Sequence, residues 1–250
     1  MIEQLAELAR SGGRAVVFTV VEGPGAGAKR LVIEGGEELG DGVPDEALGR
    51  FDEILRGGRN TLLELDDGSK VFAEWYGPPP RLFVYGAVDT AEALCRGAKL
   101  LGWTVIVADA RAKFATAERI PSADQLIVEW PEEALDQIAP DHQTAVVVLT
   151  HDDKFDEPAL KRALESEAFY VGALGSRRNQ ERRRERLLEA GVSEEALERI
   201  SGPCGLDIGA DSQAETALSI LAEILAVRAH REGGPLRTAK QRIHAEVETS

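Results

Sequence analysis

The densest chemistry in this chain lies in "YVGALGSRRNQERRRERL", residues 170–187. An apolar stretch enters Gly172, Gly175 and Ser176, and Arg177 and Arg178 follow at once. The glycines let backbone N–H groups converge, and Ser176 can cap a helix or donate to an oxyanion. Amides at a helix N-terminus favour an anion, and guanidinium forks match phosphate or carboxylate. Arg178, Arg182 and Arg186 fall on one helical face. The chain carries 29 Lys and Arg against 44 Asp and Glu, a net charge of −15, so this cluster is a local exception. We read the turn and its first arginines as an anion site. Arg183 and Arg184 read instead as a solvated face paired with Glu181 and Glu185.

Other candidates follow apolar runs. In "RLFVYGAVDTAEAL" (81–94), Gly86 allows a tight turn into a helix. Val88 puts a branched side chain where close backbone approach is usual, and Asp89 adds negative charge or caps the helix. Asp109, about 20 residues on, has the spacing of a ribose-binding carboxylate, and nearby Arg111 suits a phosphate instead. An architectural turn is the stronger reading of this loop, and a nicotinamide site, NAD(P), is the alternative. In "THDDKFD" (150–156), His151 should emerge at the end of a buried strand as an acid, a base or a ligand donor. Asp152 or Asp153 can orient it or start the next helix, and a structural histidine is an equal alternative. His142, His230 and His244 look incidental. In "SGPCGLDIGADSQAETA" (201–217), Asp207 can bind ligand hydroxyls or amines, or belong to a structural loop held by Gly205 and Gly209. Cys95 reads as a buried apolar residue. Cys204 reads the same way, with a sulfur-handling thiol as the alternative. No His, Cys and Asp cluster has metal-ligand spacing.

Periodicity reveals the helices and strands that carry these residues. Residues 1–10 form a helix, 15–21 and 30–34 strands, 44–55 a helix with Leu48, Phe51 and Leu55 inward, and 61–65 and 70–76 a hairpin. After "GPPP" at 77–80 the pattern changes to strands at 82–86, 104–109, 125–130, 144–151 and 168–175, separated by helices. Near-continuous apolar strands alternating with helices predict an α/β fold, a Rossmann-like doubly wound parallel sheet behind a smaller N-terminal α+β domain. Domains are expected at 1–77 and 78–230, with a polar, mobile tail at 231–250. A last helix, about 211–230, should start from Asp211 or Ser212. The acidic balance argues against nonspecific nucleic-acid or anionic-membrane binding. The N-terminus lacks a signal-peptide pattern, and the longest apolar run, 145–149, is far short of a membrane span. A cytoplasmic protein is expected.

Three long motifs, "LTHDDKFDEPAL", "FYVGALGSRRNQERRRERL" and "GPCGLDIGADSQAETALSILAEI", together resemble the XdhC/CoxI family of xanthine dehydrogenase accessory factors. "PPPRLFVYGAVDTAEAL" and "VADARAKFA" are similar to the start of that family's Rossmann-like domain, and "RAVVFTVVEGPGAGAKRLV" to its smaller domain, so the resemblance covers most of residues 1–228. It implies a cofactor-insertion chaperone more than a true enzyme. Such a protein binds molybdenum cofactor (molybdopterin), aids exchange of an oxo for a sulfido ligand, and delivers the product. The implied partners are a molybdenum hydroxylase apoenzyme and a cysteine desulfurase, and a homodimer follows by analogy. An NAD(P)-dependent oxidoreductase and a non-catalytic nucleotide-sensing protein are the alternatives. Two departures stand out. Val88 and Asp89 occupy the places of the family's Gly and His, and "GGEELGDGVPDEAL" lacks the cysteine of a Gly-Gly-Cys segment.

Overall fold

The computed structural model describes residues 1–239, in two units: Met1–Pro78 with the described residues from Gly234 on, and Pro79–Gly233. The expected tail is therefore described only in part, and His244 lies outside the described residues. The first unit contains α1 (Ile2–Ser11), β1 (Ala15–Glu22), β2 (Lys29–Ile33), β3 (Glu38–Gly40), α2 (Asp45–Leu48), α3 (Phe51–Gly57), β4 (Thr61–Glu64) and β5 (Lys70–Tyr76). Its antiparallel sheet has the order β3-β2-β1-β5-β4. Central β1 is apolar on both sides because both are covered. Val16, Phe18 and Val20 pack with Ile54 and Leu55 of α3, whereas Ala15 and Val17 pack with Leu8 of α1. The single helix expected over 44–55 is two. Gly49 and Arg50 interrupt it, and glycine is a poor helix former. Ala47, Ile54 and Leu55 are the buried residues, with Leu48 and Phe51 only partly covered.

The second unit runs β6 (Arg81–Tyr85), α4 (Asp89–Leu100), β7 (Thr104–Ala108), β8 (Gln125–Ile127), α5 (Pro131–Ile138), β9 (Thr144–Val148), α6 (Asp153–Glu165), β10 (Tyr170–Ala173), α7 (Arg177–Glu189), α8 (Glu194–Glu198), β11 (Ile200–Ser201) and α9 (Gln213–Arg228). All six strands are parallel, in the order β11-β10-β9-β6-β7-β8, which is the expected doubly wound sheet. Side-chain alternation builds two cores. Leu82, Val84, Val105 and Val147 join α4 and α9 on one face, and Phe83, Ile106, Val146 and Val148 join α5, α6 and α7 on the other. Ser212 caps α9 and exchanges hydrogen bonds with Glu215 in a capping box. Among the described residues, no helix is long and apolar enough to cross a membrane.

Strand order reverses between β6 and β9, the place where such sheets bind ligands beyond their carboxyl ends. Tyr85 stands level with Ala108 and Val148, and Val148 level with Ala173. The segments leaving β6, β7, β9 and β10 therefore start from one edge.

Candidate functional site

At the switch point, Gly86 takes φ +110° and donates its N–H to the Ala108 carbonyl at 2.8 Å. A Cβ there would lie 2.9 Å from Thr150 Cγ2 and 3.1 Å from Thr150 N. The glycine lets the turn after β6 pass the end of β9. Asp109 locks this turn from the next strand. Its Oδ2 accepts from Ala87 N–H at 3.0 Å and Arg111 Nη2 at 2.8 Å. Its Oδ1 accepts from Arg111 N–H at 2.9 Å and Nε at 2.8 Å. Burial pushes this carboxyl up, but the Arg111 and Ala87 hydrogen bonds outweigh it and hold it below the ordinary carboxylate range. The expected free ribose-binding carboxylate is instead a buried brace, 1% exposed. Arg111 gives two sides of its fork to Asp109 and lies 4.3 Å from the Phe114 ring centroid and 5.6 Å from that of Phe155. Val88 stands at the cap position of α4, while Asp89 is the first helical residue and pairs with Arg119 at 3.2 Å.

At the end of β9, His151 is exposed and makes no hydrogen bond or ion pair with the described residues. Neither neighbouring aspartate orients it. Asp152 caps α6 by accepting from Lys154 N–H, and Asp153 pairs with Arg186 at 2.6 Å. The surprise is Arg183, expected on a solvated face but buried with Leu187 on the inner side of α7. Its Nη2 donates to Asp156 at 2.6 Å and to the Leu174 carbonyl at 3.2 Å, and its Nη1 to Gln180 at 2.6 Å. Asp156 also accepts from the Thr150 hydroxyl, so the network ties β9, α6 and α7 together. The remaining pairs also run between helices rather than along α7. Arg184 meets Glu194, and Arg186 meets Asp153 and Glu157.

The α7 terminus keeps its donors. Ser176 caps it by accepting from Asn179 N–H at 3.3 Å, and the first amides of a helix have no partner within it. Arg177, Arg178 and Arg182 are exposed and make no hydrogen bond or ion pair with the described residues. Gly175, at φ +140°, shapes the turn before Ser176. Gly172 has a different role from the one expected: it is buried, and a Cβ would stand 2.6 Å from the Tyr170 ring. Its missing side chain makes room for that tyrosine.

Tyr170 in turn reaches α9, donating to Glu223 Oε2 at 2.5 Å, and the same oxygen accepts from Gly205 N–H at 2.9 Å. Ser219, one turn earlier, donates to the Leu206 carbonyl at 2.5 Å. This clamp holds the loop after β11 and leaves Asp207 exposed. Cys204, in the same loop, is buried. Burial, with Glu223 adding, pushes its thiol up to about 12. Cys95 is likewise pushed up to about 12 by burial and Glu92. Burial in both cases favours the thiol over the nucleophilic thiolate. No group of three or more His, Cys, Asp or Glu among the described residues is arranged to hold a metal ion. Thr150, Asp156, Arg183, Tyr170 and Glu223 escaped sequence reasoning. Each resembles an ordinary strand or surface residue until its partner from another element is in place.

The fold and this edge define a doubly wound, Rossmann-like domain in which exposed arginines without a described partner follow the turn after β10. Residues 82–224 match the model of the XdhC Rossmann domain, and the chain belongs to that family, as its motifs predicted. It is 32% identical over 232 residues to the uncharacterized protein YqeB of Escherichia coli K12, a match covering 91% of this chain and 41% of that one. It is 33% identical to a probable xanthine dehydrogenase subunit of Bacillus subtilis, covering 67% of this chain and 48% of that one. It is 34% identical to the molybdenum cofactor insertion chaperone PaoD of E. coli K12, covering 64% and 44%. The chain thus spans less than half the length of these curated relatives. A crystal structure of a xanthine dehydrogenase from Bacillus halodurans shares the fold, with a TM-score of 0.69 and 22% identity over 92% of this chain and 67% of the other.

Proposed function

We propose that this chain binds molybdenum cofactor at the carboxyl edge of its parallel sheet and assists insertion of the cofactor into a molybdenum hydroxylase apoenzyme. One observation carries the reading: Arg177 and Arg178 stand exposed and unpaired among the described residues, behind the Ser176 cap, in a chain of net charge −15. That donor set fits the phosphate of molybdopterin. The relatives named as an insertion chaperone and as a xanthine dehydrogenase component support the same role. When bound, the cofactor carries the molybdenum centre that the client enzyme uses. Ser176, Arg177 and Arg178 hold its anionic end, and exposed Asp207 receives donors from the rest of the ligand. His151 lies on the segment leaving the neighbouring strand. Sulfuration belongs to this proposal with a cysteine desulfurase as the source of sulfur, because both described thiols are buried. A nicotinamide site draws no support from Asp109, whose oxygens are taken.

The test is an oxygen-free titration of the purified chain with molybdopterin. Arg178→Ala should weaken binding roughly 10- to 150-fold, the loss of one charge-assisted contact. Wild-type affinity in that variant removes Arg178 from the site, and absence of binding by the unaltered chain removes the reading.

A further inference from the structure

The phosphate donors at the start of α7 leave the rest of the ligand unaccounted for. A second feature of the same sheet edge, past β8 and four strands along from β10, is a half-exposed aromatic ring. Val128 and Trp130, just past β8, are 45% and 49% exposed. Single exposed apolar residues need no explanation. This tryptophan differs in being braced. Its ring centroid lies 5.2 Å from that of Phe155, tilted by 52°, and Phe155, only 4% exposed, lies 6.3 Å from Tyr85. The Tyr85 hydroxyl donates to the Glu129 carbonyl at 3.3 Å, which ties down the backbone before Trp130, and Pro131 fixes the backbone after it.

Arg111 completes the surface. Asp109 holds its guanidinium through Nε and Nη2, and the group rests over Phe114 and Phe155. Its Nη1 has no hydrogen-bond partner among the described residues. Trp130 and Arg111 thus lean on the same phenylalanine, one offering a half-exposed aromatic ring and the other a fixed donor without a described partner. Planar rings bind proteins through this combination of stacking and a hydrogen bond at the ring edge.

We infer that Trp130, backed by Phe155 and Arg111, is the subsite that stacks a fused heteroaromatic ring bearing an acceptor on its edge. The inference rests on the cofactor-binding reading above for the phosphate that accompanies the ring. A pterin and a purine base share this chemistry, and the experiment separates them.

The tryptophan fluorescence of the full chain is titrated with a pterin carrying a side-chain phosphate, with guanosine monophosphate, and with inorganic phosphate. Of the three tryptophans, Trp130 is the half-exposed one beside this edge, whereas Trp103 is buried at 3% exposure and Trp75 belongs to the first unit. The pterin phosphate should quench fluorescence and bind more tightly than inorganic phosphate. Trp130→Ala should weaken pterin phosphate about tenfold, as stacking contacts do, and leave inorganic phosphate unchanged. Trp130→Phe should restore most of that affinity without the quench, which a loss of folding would not do. Tighter binding of guanosine monophosphate than of the pterin assigns the platform to a purine base; the reverse order assigns it to a pterin. Wild-type affinity for both ring ligands in Trp130→Ala overturns the platform while leaving the α7 anion site standing. Loss of phosphate binding in Arg178→Ala, with the quench at saturation retained, supports both. Failure of every probe to bind the unaltered chain overturns both.

Discussion

Replacing Arg183 with Met removes one half of a buried ion pair and leaves the other half in place. The side chains of Arg183 and Asp156 are 5% and 2% exposed, and they meet at 2.6 Å. Met keeps most of the aliphatic stem, so the packing loss is small. The Leu174 carbonyl and Gln180 Oε1 lose a donor, and the Asp156 carboxylate loses its counter-charge. Breaking such a pair costs about 3–5 kcal/mol. For a chain of this size each kcal/mol moves Tm by about 2–4 °C, so calorimetry of the full chain should record a fall of about 6–20 °C. A Tm within about 2 °C of wild type would mean that the buried pair contributes little to stability. Adding Asp156→Asn removes the stranded charge and keeps an acceptor for Thr150. The double variant should recover more than half of the loss, because buried pairs are costly mainly when broken. The pH dependence has a definite sign. Burial raises the Asp156 carboxyl above its ordinary value, against the hydrogen bonds and the Arg183 charge that lower it. A carboxyl raised in the folded state contributes stability below its unfolded pKa and loses that contribution as pH rises through the folded one. Without Arg183 the carboxyl rises further, so the deficit of Arg183→Met should grow as pH rises above the unfolded carboxylate pKa of about 3.9.

Three further outcomes follow from the same edge. Gly86→Ala should cost about 2 kcal/mol or more in urea unfolding, since the residue sits at φ +110° with Thr150 in the way, and an unchanged midpoint would count against that geometry. Asp109→Asn should lose about 3 kcal/mol at neutral pH, because the amide group points donors at donors. The Asp109 carboxyl is lowered in the fold, so its stabilisation is full above the unfolded pKa of about 3.9 and lost as pH falls through the folded value. The deficit of the variant should therefore shrink in acid unfolding below about pH 4. Cys95 and Cys204 should react with a thiol reagent at about pH 8 only as the chain opens, and prompt reaction of either in the native protein would contradict its burial.

Much of this protein is legible in one dimension. The apolar runs at 82–86, 104–109 and 144–149 are near-continuous because both faces of a parallel strand are covered, so they announce a doubly wound sheet without any structure. Periodicity also located α4, α6, α7 and α9. It failed where an element was too short to show a period, as with β3, α8 and the two-residue β11, or where Gly49 split one apolar pattern into two helices. At the site, Ser176, Arg177 and Arg178 could be singled out because a helix start followed at once by two arginines is a local feature of the chain.

The roles of other residues depended on partners far away in sequence. Asp109 has the spacing of a ribose ligand, yet it braces the first turn because Ala87 and Arg111 reach it first. Arg183 sits in a run of arginines that composition reads as solvated, and only the approach of α6 with Asp156 turns it inward. Gly172 reads as a ligand-facing glycine until the Tyr170 ring fills its place. The sheet, the family and the charged helix start are written in one dimension, because they depend on neighbours along the chain. Which donors stay free and which are consumed was decided by tertiary structure alone, because a hydrogen bond or ion pair depends on what the fold brings within about 3 Å.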